Sequence, residues 1–348
     1  MKVVIAAGGT GGHIYPGIAI AEELKARDPG NQVIFIGGRG GLEEELIKKE
    51  GFEIKTIAAR GLLRKLSYKA ISAPFVELKG FFDALSILRR FRPEGVIVTG
   101  GYVSFPVIAA AKLLRIPVLL HEQNTLPGFT NRFWSSFVDV VTLSFDITQK
   151  YIKGTVTGNP VRRRLREAKR RPHDKKTLLI WGGSQGARSI NQAAISALPK
   201  LAKWEVIHVT GERDFEMVSD RVDRTTYPFY RIYPYVYNVE ELLLQADLVV
   251  SRAGATAIFE MLAMGLPAIL IPFPYSAEGH QDLNAKVVSD SGAAMVLDQK
   301  NIDKLPGLIE QLMNSESKLG EMSRNAKKIY KPEAAGKIVN LLYAVAKR

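Results

Sequence analysis

A short apolar strand that breaks into glycines and then opens a helix occurs twice, near the start of each half of the chain. Val3-Val4-Ile5-Ala6-Ala7 leads into Gly8-Gly9-Thr10-Gly11-Gly12-His13, and Leu178-Leu179-Ile180-Trp181 leads into Gly182-Gly183-Ser184-Gln185-Gly186-Ala187-Arg188. Such a turn gathers backbone N–H groups that no side chain shields and adds the positive end of a helix dipole, which together make an anion site. One in each half predicts two phosphate-handling domains that face a shared cleft.

The length agrees, because 348 residues exceed what one ordinary core organises. With 46% hydrophobic and 24% charged residues the composition is globular. The absence of cysteine excludes disulfides and thiolate metal sites and fits a reducing compartment. The apolar run Val3 to Ala7 is shorter than a signal-peptide core, which argues against export. No stretch of about 18 uncharged apolar residues occurs. The nearest, Met261 to Ala277, is interrupted by Gly265, Pro267, Pro272 and Pro274. The expectation is a soluble or peripheral protein.

The net charge of +13 is concentrated in two places. Arg162-Arg163-Arg164, Arg166, Lys169-Arg170-Arg171 and Lys175-Lys176 read as a solvated linker between the halves. The second cluster holds Arg60, Arg64, Lys65, Lys69, Lys79, Arg89, Arg90 and Arg92 against only Glu77 and Asp83. Within it Phe75, Leu78, Phe81, Phe82 and Leu85 recur at spacings of three and four, so they share one face of a helix that Pro74 can begin. A basic-rimmed apolar face of this kind either lies on an anionic membrane or packs on the first domain's sheet. No motif of a nucleic-acid reader accompanies it, and no nucleic-acid partner is expected.

Along the chain, short β-branched runs alternate with amphipathic segments. Strands read at Lys2–Ala7, Val33–Ile36, Ile54–Ile57, Gly95–Thr99, Val118–His121, Val138–Leu143 and Gly154–Thr157, with helices such as Tyr15–Ala26 and Leu42–Lys49 between. The pattern restarts at Thr177–Trp181, Glu205–Thr210, Tyr230–Tyr233, Leu248–Ser251, Ala268–Ile271 and Ala294–Leu297. This predicts an α/β protein of two doubly wound, Rossmann-like parallel-sheet domains. Their expected extents are residues 1–160 and 161–331, with a C-terminal helix over 332–348 long enough to cross back to the first.

A dinucleotide is the obvious ligand to test, and both turns fail its fingerprint. Gly9, Gly11 and Ile14 break G-x-G-x-x-G, the second strand ends in Gly37-Gly38-Arg39 without an acid for a ribose, and neither turn carries a P-loop Gly-Lys-Ser/Thr. Further polar segments stand where strands end: Thr99-Gly100-Gly101-Tyr102, His121-Glu122-Gln123-Asn124, Gly158-Asn159-Pro160-Val161-Arg162, Ser251-Arg252-Ala253-Gly254-Ala255-Thr256 and His280-Gln281-Asp282-Leu283-Asn284. In parallel sheets these ends line the ligand crevice. Hydroxyls, amides and backbone N–H groups with few acids suit a sugar and a diphosphate.

Taken in order, the Gly8–His13 turn, Gly100-Gly101-Tyr102, His121–Asn124, Gly158–Arg162 and Gly182–Arg188 resemble the MurG family of bacterial N-acetylglucosaminyltransferases, through nearly the whole chain. The resemblance implies GT-B architecture and an inverting transfer of N-acetylglucosamine from UDP-GlcNAc to the MurNAc 4-hydroxyl of undecaprenyl-diphosphate-MurNAc-pentapeptide (lipid I), giving lipid II for peptidoglycan. It implies that the C-terminal domain binds UDP-GlcNAc and the N-terminal domain binds the lipid acceptor. It carries Arg162, Ser184, Val236, Ala255, Thr256, Ala257, Ile258, Phe259, Glu260 and Gln281 onto donor-contact positions, with Glu260 on the ribose. Thr10, Gly11, Gly12 and Asn124 fall at the interdomain face. Two places depart from the family pattern. Tyr235-Val236-Tyr237 stands where a Phe-Ile segment usually meets the base, and His280-Gln281 replaces a pair of glutamines, so only Gln281 is carried over.

Transfer with inversion needs a base for the acceptor hydroxyl and a holder for the charge leaving with UDP. No Asp-x-Asp metal pair occurs, so metal-independent chemistry and no resident cofactor are expected. Helix N-termini, Ser184 and Arg162 then have to receive the charge together. His13 is the leading base candidate, the alternative being that it orients the loop or donates to a phosphate. Glu122 is a second candidate base, or a structural carboxylate. His121 and His280 read as site-lining donors, His173 as a linker residue and His208 as a strand residue, and the five histidines show no metal-ligand spacing.

With a polyprenyl acceptor, the Phe75, Leu78, Phe81, Phe82 and Leu85 face becomes the expected contact with an anionic inner-membrane surface, on its cytoplasmic side. Two other functions stay open at this stage: a UDP-GlcNAc epimerase of similar fold, and a non-catalytic binding protein.

Overall fold

Every residue of the first strand beyond Lys2 is apolar because both of its faces are covered. In the computed structural model, which describes residues 1–59, 73–168, 170, 175–183 and 186–347, Val3, Ile5 and Ala7 pack with Ile14, Ile18, Leu24, Ile338, Val339 and Leu342. Val4 and Ala6 pack on the opposite face with Leu85, Leu88, Val107 and Ile108. Alternation of side chains along a strand divides one run between two cores.

The chain folds as two compact units, Met1–Arg163 with Lys331–Arg348, and Arg164–Tyr330. The first carries β1 (Lys2–Ala6), β2 (Gln32–Gly38), β3 (Glu53–Ile57), β4 (Gly95–Val98), β5 (Val118–Glu122), β6 (Val140–Leu143) and β7 (Thr155–Val156). They form one sheet in the order β3-β2-β1-β4-β5-β6-β7, with parallel pairing throughout. The second carries β8 (Thr177–Trp181), β9 (Glu205–Val209), β10 (Tyr230–Tyr233), β11 (Leu248–Ser251), β12 (Ala268–Leu270) and β13 (Ala294–Val296), in the order β10-β9-β8-β11-β12-β13. These are the two doubly wound parallel sheets that the sequence predicts.

The first helix runs over Gly11–Arg27 rather than starting at Tyr15. Thr10 is extended, and its carbonyl accepts from the His13 and Ile14 amides at 3.0 and 3.2 Å, so the helix begins inside the glycine turn. Residues 161–163, expected to open the second domain, belong to the first unit, where Val161 and Arg162 are buried. The Ala334–Ala346 helix also belongs there. Its Ile338, Val339 and Leu342 are fully buried, and Arg27 donates to Gly336 O at 2.9 Å.

The basic run expected to be a solvated linker is largely paired. Arg164 meets Glu240 at 2.8 Å, Arg170 meets Asp247 at 2.8 Å, and Lys176 donates to Met313 O at 3.0 Å. Lys169, Arg171 and His173 lie outside the described residues. Among the described residues no helix is long and apolar enough to cross a membrane.

Candidate active site

Strand order reverses in each sheet between two adjacent strands, β1 and β4 in the first unit and β8 and β11 in the second. Turns leaving such a pair diverge and open a crevice at the strands' carboxyl ends.

In the first unit the turn after β1 meets the turn after β4. Gly100 and Gly101 adopt φ values of 104° and 87°. A Cβ on Gly100 would lie 2.9 Å from His13 Cδ2, and one on Gly101 would strike the Gly8 carbonyl, so only glycine lets the two turns close on each other. His13 is half-buried there, with Nδ1 3.1 Å from Gly8 O. A carbonyl only accepts, so Nδ1 carries the proton and the lone pair of the neutral ring sits on Nε2. The Thr99 hydroxyl donates to His13 O at 2.8 Å, and Gln123 Nε2 donates to Thr99 O at 2.7 Å, tying the turn to the end of β5.

The first turn is not an empty phosphate nest. Its Gly9 amide donates to Glu43 Oε2 at 3.3 Å, a carboxylate buried beneath the loop. Thr10 stands exposed at the head of the helix, Gly11 is buried and Gly12 half-buried.

Glu122 is fully enclosed and accepts from its own loop: Asn124 N at 2.8 Å, Asn124 Nδ2 and Gly128 N at 3.3 Å, and Asn131 Nδ2 at 2.7 Å. Burial raises its pKa, and the Asn124, Asn131 and Gly128 hydrogen bonds pull it back. Both oxygens are engaged in shaping the 124–131 loop, which favours the structural carboxylate of the two roles expected of Glu122. His121 does not line a site. It is buried, with Nε2 3.1 Å from Asn159 Oδ1 and Nδ1 3.0 Å from Thr142 Oγ1, and burial lowers its pKa to about 4.

Arg162, expected to contact a donor, is buried in the first unit. Its guanidinium lies 4.2 Å from the centre of the Tyr15 ring and 3.7 Å from Glu50. Charge and an aromatic face compensate its burial.

In the second unit, the turn after β8 and the turn after β11 stand side by side. Gly183 has φ 87°, and a Cβ there would meet nothing within 4 Å. Ser184, expected to contact the donor, and Gln185 lie outside the described residues. The helix Arg188–Leu201 follows. After β11, Gly254 caps the helix Ala255–Ala263, and space in front of Gly254 is open in the same way. An open glycine turn at Gly183 and a helix N-terminus capped by open Gly254 thus flank the second reversal point.

Arg252 fastens this edge. It donates to Ile271 O and Pro272 O at 3.1 Å, to Ser189 Oγ at 3.0 Å and to Gln299 Oε1 at 2.7 Å, and burial lowers its pKa to about 10. Asn284, fully buried, donates to Ala253 O at 3.1 Å. Gln281 accepts from the Phe273 amide at 2.9 Å and is half-buried. Ala255, Thr256 and Glu260 are buried and Ala257 half-buried. Ile258 and Phe259 belong to the packed interior, so any ligand contact in this stretch falls to first-turn amides rather than to those side chains. Val236 is half-buried between Tyr235 and Tyr237, whose rings meet edge to face at 4.8 Å. His280 opens the His280–Asp290 helix. His208 is the buried strand residue expected, flanked by Asn191 and Tyr230, with its pKa lowered to about 3 by burial.

The apolar face of the Ala73–Phe91 helix divides in two. Phe75, Leu78 and Phe82 are 73%, 55% and 57% exposed, while Leu85 is 7% exposed and packs with Val107 and Ile108. Phe81 is half-buried against the same core. Leu85 is therefore a core residue and not part of an outer face, because the i, i+3, i+7 row points away from the i+6, i+10 row. Sequence reasoning missed exposed Phe105, Phe133 and Phe137, which ring Trp134 from two helices and the turn that follows the second. Arg60, Arg64, Lys65 and Lys69 lie outside the described residues.

For these two parallel-sheet units, each with turns diverging at its reversal point, comparison with known proteins gives the class, a glycosyltransferase. The glycosyltransferase family 28 N-terminal domain matches residues 3–143, and the family 28 C-terminal domain matches residues 177–338. A Thermoanaerobacter protein is 40% identical over 363 residues, covering 99% of this chain and 100% of its own. One from Desulforamulus reducens is 38% identical over 370 residues, covering 100% of both. Each is named UDP-N-acetylglucosamine--N-acetylmuramyl-(pentapeptide) pyrophosphoryl-undecaprenol N-acetylglucosamine transferase. The crystal structure of Acinetobacter baumannii MurG superposes with a TM-score of 0.76 at 31% identity, over 99% of both chains. The chain belongs to this family of N-acetylglucosamine transferases within glycosyltransferase family 28.

Proposed function

We propose that this chain transfers N-acetylglucosamine from UDP-GlcNAc to the 4-hydroxyl of the MurNAc sugar of lipid I, giving lipid II for peptidoglycan. The observation that carries the reading is the open Gly183 turn after β8 beside the open, Gly254-capped helix after β11. Membership in a family whose curated relatives bear the transferase name supports it.

In this reading the second unit holds the donor. First-turn amides of Ala255, Thr256 and Ala257, with the Gly183 turn and Ser184, take the diphosphate. Each helix terminus contributes about 0.3 to 2 kcal/mol toward a bound anion, so several act together on the charge that leaves with UDP. Glu260 accepts from the ribose, Gln281 reaches the sugar, and the Val236 backbone meets the base. Arg162 acts at a distance, by anchoring Tyr15 and with it the helix that begins beside His13.

The first unit takes the acceptor. In this reading Thr10, Gly11, Gly12 and Asn124 contact the acceptor, and His13 Nε2 removes the proton of the attacking hydroxyl. The hydroxyl oxygen bonds to the anomeric carbon as the bond to the UDP oxygen breaks, inverting that carbon. A positioned base of this kind contributes about 10²- to 10⁴-fold in rate.

The acceptor's tail stays in a bilayer, and Phe75, Leu78 and Phe82 are the residues proposed to meet it, with exposed Lys79, Arg89 and Arg90 toward anionic headgroups. The protein is accordingly proposed to work peripherally, at the cytoplasmic face of the membrane.

The test is incubation of UDP-GlcNAc labelled in the sugar with a lipid I analogue, with and without EDTA. Label in a disaccharide lipid, retained in EDTA, is the expected result. Conversion of UDP-GlcNAc to another hexosamine without acceptor would indicate an epimerase, and an intact donor would indicate a binding protein.

A further inference from the structure

Glu43 sits in the first turn of the Leu42–Lys49 helix, inside the acidic run Glu43-Glu44-Glu45, and it alone of the three is fully buried. Two backbone segments and one tyrosine hydroxyl converge on its carboxylate. Oε1 accepts from Gly38 N at 2.8 Å and from the Tyr102 hydroxyl at 2.8 Å, and Oε2 accepts from Gly9 N at 3.3 Å. Among the described residues it is paired with no Lys or Arg; N–H and O–H donors alone answer its charge.

The glycines around it make room for side chains of the protein itself. A Cβ on Gly8 would lie 2.8 Å from Glu43 Oε1, one on Gly37 2.6 Å from Glu43 Cγ, and one on Gly38 2.5 Å from the Tyr102 ring. The carboxylate thus occupies, from inside, the place where a turn of this type receives a phosphate.

The peptide between Gly8 and Gly9 links it to His13. A trans peptide points its N–H and C=O in opposite directions. Here the N–H goes to Glu43 and the C=O accepts from His13 Nδ1 at 3.1 Å. Carboxylate, peptide and imidazole form one aligned row, in which each hydrogen bond polarises the next.

Resting on the transferase reading above, we propose that Glu43 is a positioning residue for His13, acting through the Gly8–Gly9 peptide to hold the imidazole as its Nδ1–H tautomer with Nε2 turned basic. The effect is that of a carboxylate beside a catalytic histidine, transmitted across one peptide unit.

The experiment uses E43A and the nearly isosteric E43Q, read by turnover and by the ¹⁵N resonances of the His13 ring. In E43A, kcat falls by about tenfold to a hundredfold while KM for UDP-GlcNAc changes by less than about twofold. The His13 resonances shift toward the Nε2–H tautomer. E43Q, which retains an acceptor oxygen, lies between wild type and E43A in both readouts. Wild-type kcat in E43A, an unchanged His13 tautomer, or a loss carried wholly by donor KM overturns the proposal. The tautomer is read without turnover. A wild-type chain that transfers nothing, with the ¹⁵N response intact, therefore fails the functional reading and leaves the Glu43–His13 coupling standing.

Discussion

The Arg162 guanidinium lies 4.2 Å from the centre of the Tyr15 ring, joining the last residues of the first unit's long segment to the helix that carries His13. Both partners come from stretches that look unrelated in sequence, one a run of arginines and the other the middle of a glycine-rich turn and helix.

This contact makes Tyr15 a stability residue. Tyr15→Leu keeps apolar volume but loses the ring face, and about 2 kcal/mol is expected to go with it, the scale of a desolvated cation–π pair. Arg162→Lys is expected to destabilise as well, because an ammonium does not stack as a planar guanidinium does. Urea unfolding of both variants checks this, with a lowered midpoint at constant slope as the expected result.

His13 and Glu122 separate under mutation. His13→Ala lowers kcat by about a hundredfold or more with an unchanged melting temperature. Glu122→Gln puts an amide NH₂ where Asn124, Gly128 and Asn131 donate, and loses about 1 to 3 kcal/mol of stability. Its residual activity is expected to track the folded fraction, with the acid limb of the pH–rate profile where the wild-type enzyme has it. A Glu122→Gln chain of normal stability whose acid limb has moved would return Glu122 to the candidate bases.

Two buried histidines make the fold acid-sensitive. Burial lowers His121 to about 4 and His208 to about 3, against about 6.5 for an exposed imidazole. Between those values the unfolded chain binds more protons than the native one, so stability is complete above about pH 6.5 and falls as pH drops toward the folded pKa values. Glu122 works in the opposite sense, since its raised pKa lets the native state take up a proton on acidification. His208→Gln is expected to lower stability at neutral pH and to shrink the difference in melting temperature between about pH 7.5 and about pH 5. Calorimetry at the two pH values measures it.

Exposure divides the Ala73–Phe91 helix into residues that serve a surface and residues that serve the core. A Phe75, Leu78, Phe82 to serine triple variant is expected to keep its melting temperature and to bind anionic vesicles at least tenfold more weakly, since each exposed side chain contributes about 1.5 to 3 kcal/mol when fully buried. Leu85→Ser should do the reverse and lower the melting temperature. Vesicle sedimentation with a soluble-acceptor control distinguishes the two outcomes.

The architecture was legible because strands buried on both faces leave uninterrupted β-branched runs, and each expected strand is present with its ends moved by at most two residues. Helix starts were less legible. The Gly11–Arg27 helix begins within glycines, where propensity argues for loop and the Thr10 carbonyl decides otherwise. Side-chain partners were the least legible. Glu43 reads as one more acid in a helix's first turn, and its only trace is a density of glycines at 37, 38, 40 and 41 with no ligand motif to account for them. Arg162 reads as solvated or ligand-bound, because charge patterning does not report an aromatic ring supplied from far along the chain.

The central claim is that the donor diphosphate binds the second unit, at the reversal point between β8 and β11. A crystal structure with UDP-GlcNAc tests it most directly. Phosphate oxygens within hydrogen-bond distance of the Gly183 turn and of the Ala255 to Ala257 amides are the predicted result. Diphosphate density on the Gly8 to His13 turn, with the Glu43 carboxylate displaced from the Gly9 amide, would contradict it.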